Sequence, residues 1–99
     1  MILEVAFLQV KEGLEKQFEN DFAVAGEYIS VIEGNISHSL RKWVEKVNKY
    51  LLLVEWENLE GHSIGFRQSP KYRYRKKLLH HYYYPFPAVE HYEVNIENK

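Results

Sequence analysis

Met1–Asn35, MILEVAFLQVKEGLEKQFENDFAVAGEYISVIEGN, holds a strand, a break and a helix in succession. Ile2–Val10 is nearly continuous in apolar residues, with Glu4 and Gln9 the interruptions. A strand with one wet face alternates, so this one predicts a sheet covered on both sides. Glu12 and Gly13 break it. Leu14, Phe18, Phe22, Ala25, Ile29 and Ile32 then recur at steps of four, four, three, four and three. That is one face of an amphipathic helix, and Glu15, Lys16, Glu19, Asn20 and Glu27 fall on the other. Gly34 stands where a helix end favours a left-handed residue.

Working outward, Asn35–Val44 reads as a strand with Ile36, His38, Leu40 and Val44 on one face, and residues 45–49 as a polar turn. Tyr50–Glu57, YLLLVEWE, is a further strand, with Tyr50, Leu52, Val54 and Trp56 on one face and Leu51 and Leu53 on the other with its acids. Asn58 is an N-cap signal for a short helix over Leu59–Arg67. Ser69-Pro70 then starts a second helical piece reaching about Tyr82, with Tyr74, Leu78 and Tyr82 in line. Pro85 and Pro87 stop it, and Ala88–Asn95 makes the last strand. The order β-α-β-β-α-β is the α+β, ferredoxin-like arrangement, an antiparallel sheet with two helices on one face. The other face must still hide Leu, Val and Phe. Two subunits packed sheet against sheet, a symmetric homodimer with a barrel-like centre, would satisfy it. Residues 1–95 are expected to form a single domain and 96–99 a frayed tail.

Composition narrows the classes. A chain of 99 residues, 45% hydrophobic, is one domain with a modest core, and it has no apolar run near the roughly 20 residues of a membrane helix. The net charge of -1 supplies no global field for nucleic acid or anionic lipid. With no cysteine there is no disulfide, thiolate nucleophile or cysteine-ligated metal. MILEVAFLQV lacks a basic lead and a small-residue cleavage site, so a cytoplasmic location is expected. Neither G-x-G-x-x-G, G-x-x-x-x-G-K-[ST] nor H-E-x-x-H occurs, so no nucleotide cofactor and no metal are expected. KYRYRKK (Lys71–Lys77) interleaves cations with tyrosines, and RNA-recognition domains share this element order. Tyr50–Trp56 offers leucines and Glu55 rather than the RNA-binding signature, so the run reads as a solvated face, or as a basic rim for an anionic substrate.

Gly61–Tyr92, GHSIGFRQSPKYRYRKKLLHHYYYPFPAVEHY, holds four of the five histidines and six of the eight tyrosines. With YLLLVEWENLEGH (50–62), GFRQSPKY (65–72) and LLHHYYYPFPAVEHYE (78–93), the chain resembles the antibiotic biosynthesis monooxygenase family from Met1 to about Glu93. The resemblance implies a dimeric α/β barrel with a pocket in each subunit between sheet and helices. It also implies oxygenation of a small phenolic, quinol or polyketide-type aromatic by molecular oxygen, without metal or flavin. The haem-degrading branch places an asparagine on the first strand and a tryptophan and axial histidine on the second helical segment. Here Met1–Val10 has no asparagine, and Phe66 and Lys76 stand at the other two positions, which argues against haem. Gly61 and Tyr84 stand where related sequences of this subgroup carry acids.

Cofactor-free oxygenation needs a general base, an apolar slot for the rings and a dipole for developing negative charge. His62, four residues before Phe66 on the short helix, is the candidate base, with capping at a helix bend as its structural alternative. Phe66, Trp56 and Tyr72 are the candidate ring slot. His80 and His81 diverge by about 100° on a helix, so one should face in and the other out. His81, His38 and His91 are further candidates for the substrate pocket, the last two on strands among apolar neighbours. At least two of Tyr82, Tyr83 and Tyr84 are expected against a partner subunit. The alternative function is a non-catalytic small-ligand binder, or a stress-associated protein, on the same fold.

Overall fold

Strand β1 (Ile2–Gln9) runs through the middle of the sheet and is followed by helix α1 (Glu15–Ser30). Strands β2 (Asn35–Lys42) and β3 (Lys49–Trp56) form a hairpin, helix α2 (Pro70–Leu79) follows, and β4 (Val89–Tyr92) completes the chain order. The computed structural model describes residues 1–31, 33–58 and 70–98, without the side chains of residues 29, 71, 72, 74 and 75. The sheet order is β2-β3-β1-β4, antiparallel throughout, which is the predicted ferredoxin-like topology.

Register explains the two-sided strands. Ala6 faces Leu52 and Leu8 faces Tyr50 across the β1–β3 pair, and these residues are buried beneath α1 and the end of α2. The alternate residues of β1 and β3 pair on the opposite, open face: Leu3 with Glu55, Val5 with Leu53, Phe7 with Leu51. No helix covers that side among the described elements, and Phe7 is 63% exposed. The predicted helix face packs as read. Phe18, Phe22 and Ala25 are buried, and Gly34 takes the expected left-handed conformation at φ 91°.

An aromatic cluster joins α1 to the sheet. The Phe18 ring lies 5.0 Å from Tyr50 and 5.6 to 5.9 Å from Phe22, Tyr82 and Tyr83. Tilted and edge-on arrangements bring ring edges to ring faces, the favoured quadrupole geometry. Two α1 carboxylates accept from the rim of this cluster, Glu19 from the Tyr50 hydroxyl at 2.5 Å and Asp21 from the Tyr82 hydroxyl at 2.5 Å. Burial, then the hydrogen bond and charge of the neighbouring carboxylate, push both phenols above the ordinary tyrosine range. A raised pKa favours the neutral phenol in the fold. The corresponding stability is complete below pH about 10, the unfolded value, and is lost as pH rises toward the folded one. The urea midpoint should therefore fall steeply above pH 10, and Tyr50→Phe/Tyr82→Phe should flatten that fall. A wild-type midpoint constant to pH 12 would refute the coupling.

Several element ends differ from the sequence reading. β2 stops at Lys42, and a bulge between Asn35 and Ser37 puts Ile36 out of the predicted alternation. Val44 is 93% exposed in the following turn rather than on a strand face. α2 ends at Leu79 and tightens into a 3-10 turn over His80–Tyr82, short of the predicted continuous helix. β4 is shorter than predicted, being confined to Val89–Tyr92. Tyr82 and Tyr83 are buried in this chain's own core, not held for a partner, and only Tyr84 of the three is exposed. Tyr83 is positioned by a bridge to Val10, and the Tyr84 N–H donates to the Gln9 carbonyl. The Tyr84–Pro85 peptide is cis. The predicted helix over Leu59–Arg67 lies outside the described residues.

Candidate active site

The helix-facing side of the sheet carries one polar row. His38 on β2 is in register with Val54 on β3, Val54 with Glu4 on β1, and Glu4 with His91 on β4. Glu4, which the sequence reading passed over as an interruption, is the central member and is only 4% exposed. The Trp56 indole N–H donates to its Oε1 at 3.0 Å. A carboxylate taken out of water is tolerated where donors replace the lost hydration, and a charge-assisted bond is stronger than a neutral one. Trp56 itself is fully buried.

Asn35 is the second group missed. It opens β2 opposite Trp56, and its Nδ2 is buried with no hydrogen-bond partner among the described residues. An unsatisfied buried amide is costly, and a bound acceptor would relieve it. The bulge beside Asn35 accompanies this placement and leaves no hydrophobicity pattern to read.

The candidate residues separate as follows. His38 is half-buried under α1, where Gly26 allows the approach, since a Cβ there would stand 2.9 Å from His38 Nε2. His91 is exposed on the β4 edge beside Glu4. Three strand spacings, about 14 Å, separate the backbones of His38 and His91, so the two stand at opposite ends of the row. His81 is exposed, its ring 4.0 Å from that of Tyr82, while His80 is partly buried, the predicted divergence. Tyr72 lies on α2 with its side chain outside the description, and His62 and Phe66 lie outside the described residues altogether. Trp56 is a fully buried core residue that holds Glu4. No group of three or more His, Asp or Glu side chains among the described residues could hold a metal ion.

A concavity opens on the other face of the sheet. A groove of ≈ 650 Å³ lies at the Gln9 end of the sheet, with Phe7, Leu51, Trp43, Val44 and Phe86 among its lining residues. Lys49 Nζ sits 4.6 Å from the centre of the Trp43 ring, a cation–π contact that stiffens the rim.

Fold, row and groove can now be set beside known proteins. The sequence profile of the antibiotic biosynthesis monooxygenase family matches residues 1–75. The chain belongs to that family. One relative, the uncharacterized protein YczJ of Bacillus subtilis, is 54% identical over 93 residues, covering 94% of this chain and 98% of its own. The crystal structure of a candidate antibiotic biosynthesis monooxygenase from Bordetella bronchiseptica superposes with a TM-score of 0.90 at 29% identity, over 96% of this chain and 97% of that one. SnoaB, a cofactor-independent oxygenase from Streptomyces nogalater, shares the fold with a TM-score of 0.77 at 18% identity, over 99% and 94% of the two chains. This family member therefore has its relatives' architecture, with the Glu4–Trp56 pair buried on the helix-facing side of the sheet. No helix among the described residues is long and apolar enough to cross a membrane.

Proposed function

We propose that the protein is a cofactor-independent monooxygenase acting on a small phenolic, quinol or polyketide-type aromatic compound. The observation that carries this reading is the buried Glu4–Trp56 pair with the unsatisfied Asn35 amide beside it. A buried carboxylate and an unsatisfied donor are expensive in a core, and both suit the handling of a substrate proton and a developing oxyanion. The SnoaB relative, a cofactor-independent oxygenase, supports the same chemistry on this fold.

His62 is assigned as the base, with Phe66, Trp56 and Tyr72 as the ring slot and His38 and His91 on the sheet side. Removal of a proton leaves an electron-rich anion that can reduce molecular oxygen directly. For a ring CH2 group, attack by O2 and loss of one water leave a carbonyl, and the substrate supplies all four electrons. The protein's part is to take the proton, exclude water and hold the anion. We place this chemistry in the cytoplasm and in a symmetric homodimer. The open sheet face supports the dimer, since Leu3, Val5, Leu51 and Leu53 lie there beside the exposed Phe7.

Oxygen uptake with hydroquinones, anthrones and polyphenols on chelator-treated protein is the direct test. Turnover above autoxidation, reduced at least about tenfold in His62→Ala, is expected. Unchanged turnover in that variant removes His62 from the mechanism. A flat panel with well-folded protein favours the ligand-binding alternative, in which the Asn35 amide and Glu4 hold a compound that is not turned over.

A further inference from the structure

The geometry points to a Trp56–Glu4–His91 triad in which His91 is a general base for a ring hydroxyl of the substrate and Glu4 is its positioning residue. The inference rests on the oxygenase reading and deepens it: it adds a second base and requires a substrate with an ionisable hydroxyl.

Three observations carry it. The first is register. Glu4 and His91 are paired directly between the antiparallel strands β1 and β4. Such partners point to the same side of a sheet, with Cβ atoms about 4.5–5.5 Å apart. That side is the helix-facing one, since Val89, two residues before His91, packs against the core there. Glu90 and Tyr92 point to the open face, where the Tyr92 hydroxyl donates to Glu90, so neither competes for the imidazole.

The second is the gradient of burial. Trp56 on β3 is fully buried, Glu4 on β1 is 4% exposed, and His91 on the edge strand β4 is open to solvent. A carboxylate held inside is costly unless donors and a countercharge replace its hydration. The indole N–H supplies one donor at 3.0 Å. The imidazole across the pair supplies another and, once protonated, the countercharge. His91 is also the member of the three that a molecule arriving from solvent meets first.

The third is the direction of donation. An indole N–H only donates, and an ionised carboxylate only accepts. The His91 ring nitrogen that faces Glu4 therefore carries the proton, and the outward nitrogen keeps its lone pair. A buried carboxylate sets the tautomer of a working imidazole in this way. In the step itself the substrate O–H bond breaks and an N–H bond forms on the outward nitrogen. The electron pair stays on oxygen as the phenolate, and Glu4 balances the imidazolium. No electron leaves the substrate until molecular oxygen accepts it afterwards.

Glu4→Gln gives the sharpest test. The indole N–H holds the amide oxygen, so the amide NH2 faces His91 and the imidazole must accept from it, which inverts the tautomer. Long-range nitrogen–proton correlation NMR should show one His91 tautomer in the wild type and the other in Glu4→Gln. The same tautomer in both overturns the triad, whatever the activity. The base role is read with p-nitrophenol, which should bind as its yellow anion at a pH where it is neutral in water. His91→Gln, an exposed substitution that spares the fold, should lower the bound anion at least about tenfold and serves equally if Glu4→Gln does not fold. No bound anion in the wild type, or as much in His91→Gln, overturns the base role. Neither measurement uses oxygen, so a flat oxygen-uptake panel with both results positive defeats the oxygenase reading alone. With a substrate that turns over, Glu4→Gln should lower kcat about tenfold or more and leave KM within about twofold. An unchanged kcat overturns the positioning role.

Discussion

Trp56→Ala is expected to be the most destabilising single truncation in the chain. Truncating a fully buried tryptophan costs about 3–5 kcal/mol through lost burial and the cavity left behind. The Glu4 carboxylate also loses the indole N–H that replaces part of its hydration, which adds about 1–3 kcal/mol. Domains of this size have about 5–15 kcal/mol in all, so the variant loses a large share of that margin. Urea unfolding followed by circular dichroism measures it, and a loss under about 1 kcal/mol would show that Trp56 is not packed as described. Trp56→Phe isolates the hydrogen bond, since it fills most of the space but donates nothing. A double-mutant cycle with Glu4→Gln should then return a coupling of about 1–3 kcal/mol. A coupling near zero would separate the indole from the carboxylate. The same variants bear on function: Glu4→Gln keeps the shape of the row while removing its charge.

Phe18→Ala is the second large effect, again about 3–5 kcal/mol. Phe18 is fully buried and touches rings from α1, β3 and the turn after α2, so its removal opens the joint where helix, sheet and chain return meet. Loss of the ring should also loosen the Tyr50–Glu19 and Tyr82–Asp21 bonds at the rim of the same cluster. Phe18→Leu keeps much of the buried area and should cost clearly less. Val24→Ala, on the same helix but half exposed, is the control and should stay within about 0.5 kcal/mol of wild type. A Phe18→Ala variant as stable as that control would refute the clustered core.

The site was only partly legible in the sequence, for reasons particular residues show. Histidines draw attention because they titrate near neutrality, and five of them directed the reading toward themselves. Glu4 looked like an imperfection in an apolar strand. Its importance depends on Trp56, which is 52 residues away in sequence and one strand over, and no spacing rule connects them. Asn35 read only as the first residue of a strand, and its buried amide sits beside a bulge that no local pattern announces. The three consecutive tyrosines show the same limit. Their richness in rings suggested an interface, and the bridge from Tyr83 to Val10 instead turns two of them into the core.

By itself the sequence determined the order of elements, the buried face of α1, the inward face of β3 and the left-handed Gly34. All of these follow from periodicity and turn chemistry, which act within a few residues. The family, too, could be read from three quoted segments. Only the tertiary structure decided where strands and helices end, which tyrosines are core, and that the Glu4 carboxylate meets the Trp56 indole. Those outcomes depend on register between strands far apart in the chain, and a local pattern carries no information about the partner it will meet.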